Sequence, residues 1–186
     1  SLPGFMAWPA AHADPGLLPD TAAERSEGRW HESVMATEQV VVMLGQATIP
    51  HGHPDDLALR LLPCHLGAGM SGLLFQRLRE EHGVAYETGV HHPVRAGAAP
   101  FLLHASTSAE RADLTLRLLM QIWGELRAAL LDEADLALAR AKFTGQIAHA
   151  GQTCSQRAER NVQLCGLGLP QDFDHRCLDN LDSVDA

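Results

Sequence analysis

The chain's 186 residues suffice for one domain with a sizeable buried core, and its formal net charge of −9 disfavours nucleic acid and anionic membrane as partners. No stretch approaches the roughly 18 uninterrupted apolar residues of a membrane-spanning helix. Ala11-His12-Ala13 looks like a signal cleavage site, but no basic segment precedes it and prolines break the apolar run, so a cytoplasmic protein without a leader is expected.

Residues 1–32 are rich in proline, alanine and glycine, lack periodicity, and read as a linker or inter-domain arm; Trp8 and Trp30 suggest that the arm lies against a surface. Residues 33–186 read as one domain. Gln39-Val40-Val41-Val42-Met43-Leu44 is a β-branched apolar run, which predicts a strand covered on both faces or at least central in its sheet. His53-Pro54-Asp55-Asp56 predicts a helix start with Pro54 first, its acidic residues facing the positive end of the helix dipole. Leu57, Leu61 and Leu62 continue that helix, and Pro63 predicts a kink or an early end.

Leu66 to Tyr86 then combines a glycine turn, an apolar-periodic run and a glycine stop. Ser71 is placed to cap a helix whose apolar face is Leu74, Phe75 and Leu78, and Gly83 is placed to end it in the left-handed conformation. Tyr86 to Val90 and Phe101 to Ala105 alternate as an antiparallel pair with a long, turn-prone connection. Thr107-Ser108-Ala109-Glu110 matches a capping box ahead of a helix with Leu114, Leu118, Ile122 and Leu126 on one face. A long helix from about Asp132 carries Leu136, Phe143, Ile147, Cys154, Ala158, Val162 and Cys165, with Gly145 and Gly151 as sites of close packing or a bend. A short helix over 172–181 closes the series. This order implies an α+β fold, a two-layer domain of mainly antiparallel sheet packed against helices, cut before its last strands.

Chemistry-bearing residues are sparse. The cysteines Cys64, Cys154, Cys165 and Cys177 show no C-x-x-C spacing and read as reduced, mostly buried thiols. His51 and His53 lack further ligands nearby, and the adjacent His91 and His92 point to opposite faces of a strand. H-E-x-x-H, H-x-x-E-H, G-x-S-x-G and the phosphate-binding loops are absent, so no metal site and no cofactor are expected in this chain. Arg79 and Tyr86 remain, a guanidinium fork and a phenol seven residues apart. Such donors can hold a peptide carbonyl or an oxyanion forming from it, but an arginine on a solvated helix face and a tyrosine packed on a sheet satisfy the same sequence.

The motif Leu66-Gly67-Ala68-Gly69-Met70-Ser71, Leu74-Phe75-Gln76, Leu78-Arg79-Glu80, Gly83-Val84-Ala85-Tyr86 resembles the C-terminal-half signature of the pitrilysin, insulinase and mitochondrial processing peptidase family of zinc metallopeptidases. Ala141-Lys142, the run Ser155 to Arg160 and Leu169-Pro170 extend the resemblance over residues 34–186. It implies a metal-free half that completes a chamber with an N-terminal metal-binding half domain or a homologous subunit, where zinc and H-x-x-E-H reside. It further implies catalytic roles for Arg79 and Tyr86 and a substrate-receiving loop of Gly67, Ala68, Gly69, Met70, Ser71 and Gly72. Peptide or protein is the implied substrate. Where the other half carries its metal motif this chain has Leu61-Leu62-Pro63-Cys64-His65, and Gly72-Leu73 replaces the usual Ser-Arg. The same resemblance accommodates a proteolytically inactive structural or peptide-binding subunit; an H-x-x-E-H in the same polypeptide or a partner separates the two.

Overall fold

The computed structural model describes residues 38–67 and 69–184; the expected linker over 1–32 and Ala68 lie outside them. Three antiparallel strands, β1 (Gln39–Thr48), β2 (Glu87–His91) and β3 (Ala99–Ser108), form a sheet in the order β1-β3-β2. Strand β3 is central, and its alternate residues Ala99, Phe101, Leu103, Ala105 and Thr107 are buried on the helix-covered face.

Strand β1 corrects the expectation of a centrally placed, doubly covered strand. Among the described residues it pairs only with β3, and its outward Val41 and Met43 are 53% and 63% exposed while Val42 and Leu44 pack on the core. Uniform apolar composition hid an ordinary one-sided alternation.

Helix α1 (Asp56–Leu66) starts later than Pro54 and runs through Pro63 to its C-cap, where the Gly67 amide donates to the Pro63 carbonyl at 2.8 Å. A proline this close to the end removes one intrahelical bond, and burial of Leu61, Cys64 and Leu66 offsets that loss. Next comes a helical turn at Leu73 and Leu74 that widens into a π-helical segment, Phe75–Glu81. Its i→i+5 pattern is seen where the His82 amide donates to the Arg77 carbonyl at 3.3 Å. Ser71 lies in the turn before this segment rather than capping it, whereas Gly83 ends it at φ +60°.

The expected capping box at Thr107 is instead the end of β3: the Thr107 hydroxyl is fully buried and donates to the Val84 carbonyl at 2.5 Å. A single 3₁₀ turn, Ala109–Arg111, leads into helix α2 (Ala112–Ala128). The buried face of α2 is Thr115, Leu119 and Ile122, rotated from the expected stripe so that Leu114 is exposed.

The expected long helix is two. Helix α3 (Glu133–Ala150) is capped by the Asp132 carboxylate, which accepts from the Asp135 amide at 2.8 Å; the chain then breaks at Gly151. Helix α4 (Cys154–Gly166) restarts behind a capping box of Thr153 and Gln156. Helix α5 (Phe173–Asp179) follows.

Two hydrophobic clusters result. One joins the sheet, the π-helical segment and α2 around Leu74, Leu78, Phe101, Leu103 and Leu119; the other joins α1, α3 and α5 around Leu61, Cys64, Leu136, Phe143 and Cys177. Helix α1 contributes to both and fastens the two layers of this α+β domain. No helix among the described residues is long and apolar enough to cross a membrane.

Candidate functional site

The glycine loop leaves the buried end of α1 hard against β2. A Cβ on Gly67 would approach both the amide nitrogen and Cγ2 of Val90 to 3.1 Å, so glycine permits this close exit. Gly69 turns the chain at φ +69°, and the Gly72 amide donates back to its carbonyl at 3.1 Å. The Lys142 ammonium on α3 reaches across to the Ser71 carbonyl at 3.3 Å. Met70, the most projecting apolar side chain of the loop, faces a hollow of about 450 Å³ that it lines with Phe75, Gln76, Glu80 and Glu81.

Arg79 and Tyr86 come together on either side of the Gly83 stop. Arg79 lies over the Phe75 ring, 5.1 Å from its centroid, and Nη1 donates to the Tyr86 backbone carbonyl at 3.2 Å. Tyr86 itself is held to the sheet, its amide donating to the Ser106 carbonyl at 2.8 Å, while its side chain is 61% exposed. One donor of the guanidinium thus orders the backbone, leaving others in the fork for an incoming carbonyl. The Tyr86 ring is exposed to solvent.

Sequence reasoning missed three donors around this corner. Lys142 holds the loop, Thr107 holds Val84, and Arg111 Nη1 donates to the Gly83 carbonyl. Thr107 was hidden by its resemblance to a cap, and Arg111 has no periodic or motif signal at all.

The histidines serve other ends. His51 Nδ1 is 3.0 Å from the buried Asp56 carboxylate, and its Nε2 lies 3.4 Å from Arg160 Nη2. Arginine only donates, so Nε2 accepts and the proton sits on Nδ1, shared with Asp56. Burial pushes the Asp56 carboxyl up, but the His51 and Gly52 hydrogen bonds and the nearby Arg60 charge outweigh it and hold the group below its ordinary value. His92 Nδ1 lies 3.2 Å from the Pro100 carbonyl. Burial first, then Lys142, hold the His65 imidazole below its usual range against the pull of Asp135 and Asp132. Among the described residues no three or more His, Cys, Asp or Glu side chains are grouped to hold a metal ion.

A family model described as the peptidase M16 inactive domain matches residues 5–143. An uncharacterized zinc protease of Rickettsia felis is 33% identical over 78 residues, 41% of this chain and 19% of that protein. One from Mycobacterium bovis is 28% identical over 123 residues, 66% of this chain and 28% of that protein. The chain thus spans well under a third of the length of these curated relatives. Among solved structures, the peptidase M16 inactive domain from Pseudomonas fluorescens superposes with a TM-score of 0.69 at 22% identity, covering 80% of this chain and 35% of that one.

Proposed function

The chain belongs to the peptidase M16 family, in its inactive domain, and from that premise we propose that it completes the substrate chamber of a zinc-dependent endopeptidase whose metal lies in another half. That partner is an N-terminal metal-binding half domain or a homologous subunit, and its substrate is a peptide or protein. The metal-activated water comes from that half. This chain's part is to receive the peptide and to place donors at its carbonyl.

The reading is supported by the exposed Arg79–Tyr86 pair, joined through the 3.2 Å bond to the Tyr86 carbonyl and standing beside the glycine loop. Arg79 and the Tyr86 hydroxyl hold the scissile carbonyl and stabilise the oxyanion that forms on it. The loop of Gly67, Ala68, Gly69, Met70, Ser71 and Gly72 offers a turn with little side-chain bulk, against which an extended peptide lies. Neither donor is a nucleophile, so the role is differential stabilisation of the transition state.

The test is made on the assembled peptidase, this chain together with its zinc-bearing half. Arg79→Met and Tyr86→Phe each lower kcat by about 100-fold, the loss typical of removing one oxyanion donor, with a smaller change in KM. Full turnover in both variants overturns the catalytic role and leaves a structural or peptide-binding subunit of the same fold.

A further inference from the structure

The relative placement of Arg79 and Tyr86 is set by the seven-residue path between them, which ends one helix, reverses through a glycine and enters a strand. Val84 and Ala85 of this turn are anchored in the hydrophobic core, whereas Gly83 at its apex is exposed. Gly83 sits at φ +60° with nothing within 4 Å of where a Cβ would stand. The backbone supplies the inner bonds: the Val84 and Ala85 amides both donate to the Leu78 carbonyl, at 2.8 and 3.3 Å. Three further carbonyls of the turn are taken by side chains. Gly83 accepts from Arg111 Nη1, Val84 accepts from the Thr107 hydroxyl at 2.5 Å, and Tyr86 accepts from Arg79 Nη1 at 3.2 Å.

Two of these three donors come from one short stretch, the junction between β3 and α2. That junction is rigid, because the Thr115 hydroxyl of α2 donates to the Arg111 carbonyl at 2.9 Å and Thr107 is wholly buried in the sheet. A charged donor on a carbonyl makes a stronger bond than a neutral one, and here it acts on the most permissive residue of the turn. We infer that Arg111, backed by Thr107, is a positioning residue that clamps the turn Gly83–Tyr86 and thereby holds Tyr86 in register with Arg79. The inference deepens the reading of Arg79 and Tyr86 as substrate-facing donors and, in its consequence for turnover, rests on it.

Arg111 is the informative position. Its side chain is exposed, so when it is removed water solvates the Gly83 carbonyl and the domain stays folded. Thr107→Val instead strands a buried carbonyl and confounds positioning with stability, so Thr107→Ser, which keeps the hydroxyl, serves as the conservative control.

The experiment reads the turn directly, by amide hydrogen exchange of Val84, Ala85 and Tyr86 in the full chain. Arg111→Met and Arg111→Gln speed exchange at these amides by about ten-fold while α3 amides are unchanged; Arg111→Lys and Thr107→Ser keep most of the protection. In the assembled peptidase, Arg111→Met lowers kcat by about ten-fold with KM within about two-fold, and the Tyr86→Phe/Arg111→Met double variant is no slower than Tyr86→Phe. Unchanged exchange at the turn in both Met and Gln variants overturns the clamp, as does acceleration spread equally over α3. A loosened turn with full turnover in Arg79→Met and Tyr86→Phe upholds the clamp while refuting the catalytic reading. A loosened turn with multiplicative losses in the Tyr86→Phe/Arg111→Met pair refutes action through Tyr86.

Discussion

Gly45, on the solvent side of β1, lies opposite Leu102, and a Cβ built there falls 2.1 Å from the Phe101 carbonyl oxygen and 2.8 Å from the Leu102 Cα. Both obstacles are backbone of the central strand, so no side-chain motion relieves them. Gly45→Ala therefore weakens the β1–β3 pairing and destabilises the fold by about 1–3 kcal/mol, read as a lower urea midpoint at unchanged slope. An unaltered midpoint would show that β1 shifts freely against β3. This constraint is invisible in the sequence, where Gly45 looks like the end of the apolar run. Arg79 and Tyr86 show the converse. Residue chemistry alone explained them as a solvated arginine and a packed tyrosine, and only the family resemblance of the Leu66–Tyr86 motif singled them out. The form of their meeting, guanidinium to backbone carbonyl rather than side chain to side chain, is a property of the folded turn that no spacing encodes. The contacts of Lys142 and Arg111 were illegible for a simple reason: their partners are carbonyls, which every residue possesses and no sequence marks.

Elements were recognised where periodicity had one interpretation. The antiparallel pair β2–β3, the glycine stop at 83 and the presence of a helix after β3 follow from local pattern, and they stand as expected. Errors arose where the same residues fit two geometries. The seven-residue π-helical segment has the composition of an α-helix, and nothing local announces an i→i+5 ladder. The stripe from Leu136 to Cys165 suits a single long helix, but the break at Gly151 and the cap at Thr153 restart the phase. Consequently Cys154 and Cys165, expected inside, stand exposed on α4, while Cys64 and Cys177 are buried and burial raises their thiol pKa values. The thiolate is the reactive form, so exposure and ionisation act together. In the native chain the exposed Cys154 and Cys165 should therefore react rapidly with a thiol-specific disulfide reagent, and the buried Cys64 and Cys177 only on adding denaturant. Slow reaction at Cys154 and Cys165 would place α4 against a surface; fast reaction at all positions would contradict the α1–α3–α5 cluster.

At the scale of the whole molecule the two clusters are secured differently. The sheet side relies on apolar packing, and its half-exposed Arg77–Glu125 pair at 3.3 Å adds only modestly to that. On the helix side, Arg160 of α4 grips Asp174 of α5 with two bonds of 2.7 Å, Arg60 of α1 lies 3.6 Å from the same carboxylate, and Asp56 anchors His51 before α1. Burial pushes the Asp174 carboxyl up, yet the Arg160 hydrogen bonds and the Arg160 and Arg60 charges prevail and leave it below its ordinary value, as for Asp56. A carboxyl with a folded pKa below its unfolded one stabilises the fold above the unfolded value, near 4, and loses that contribution as pH falls through the folded value. Acid should therefore undo the helix side first, releasing α4 and α5 while the sheet and α2 persist. Asp174→Asn lowers stability at neutral pH by about 1.5–3 kcal/mol, because the arginines keep a neutral partner in place of a charged one. It also flattens the fall in melting temperature between about pH 5 and pH 3, since the titrating group is gone. Circular dichroism melts of the native chain and of Asp174→Asn across that range measure both effects. Equal acid slopes in the two proteins would move the acid-sensitive bond from Asp174 to Asp56, which Asp56→Asn then tests by the same melts.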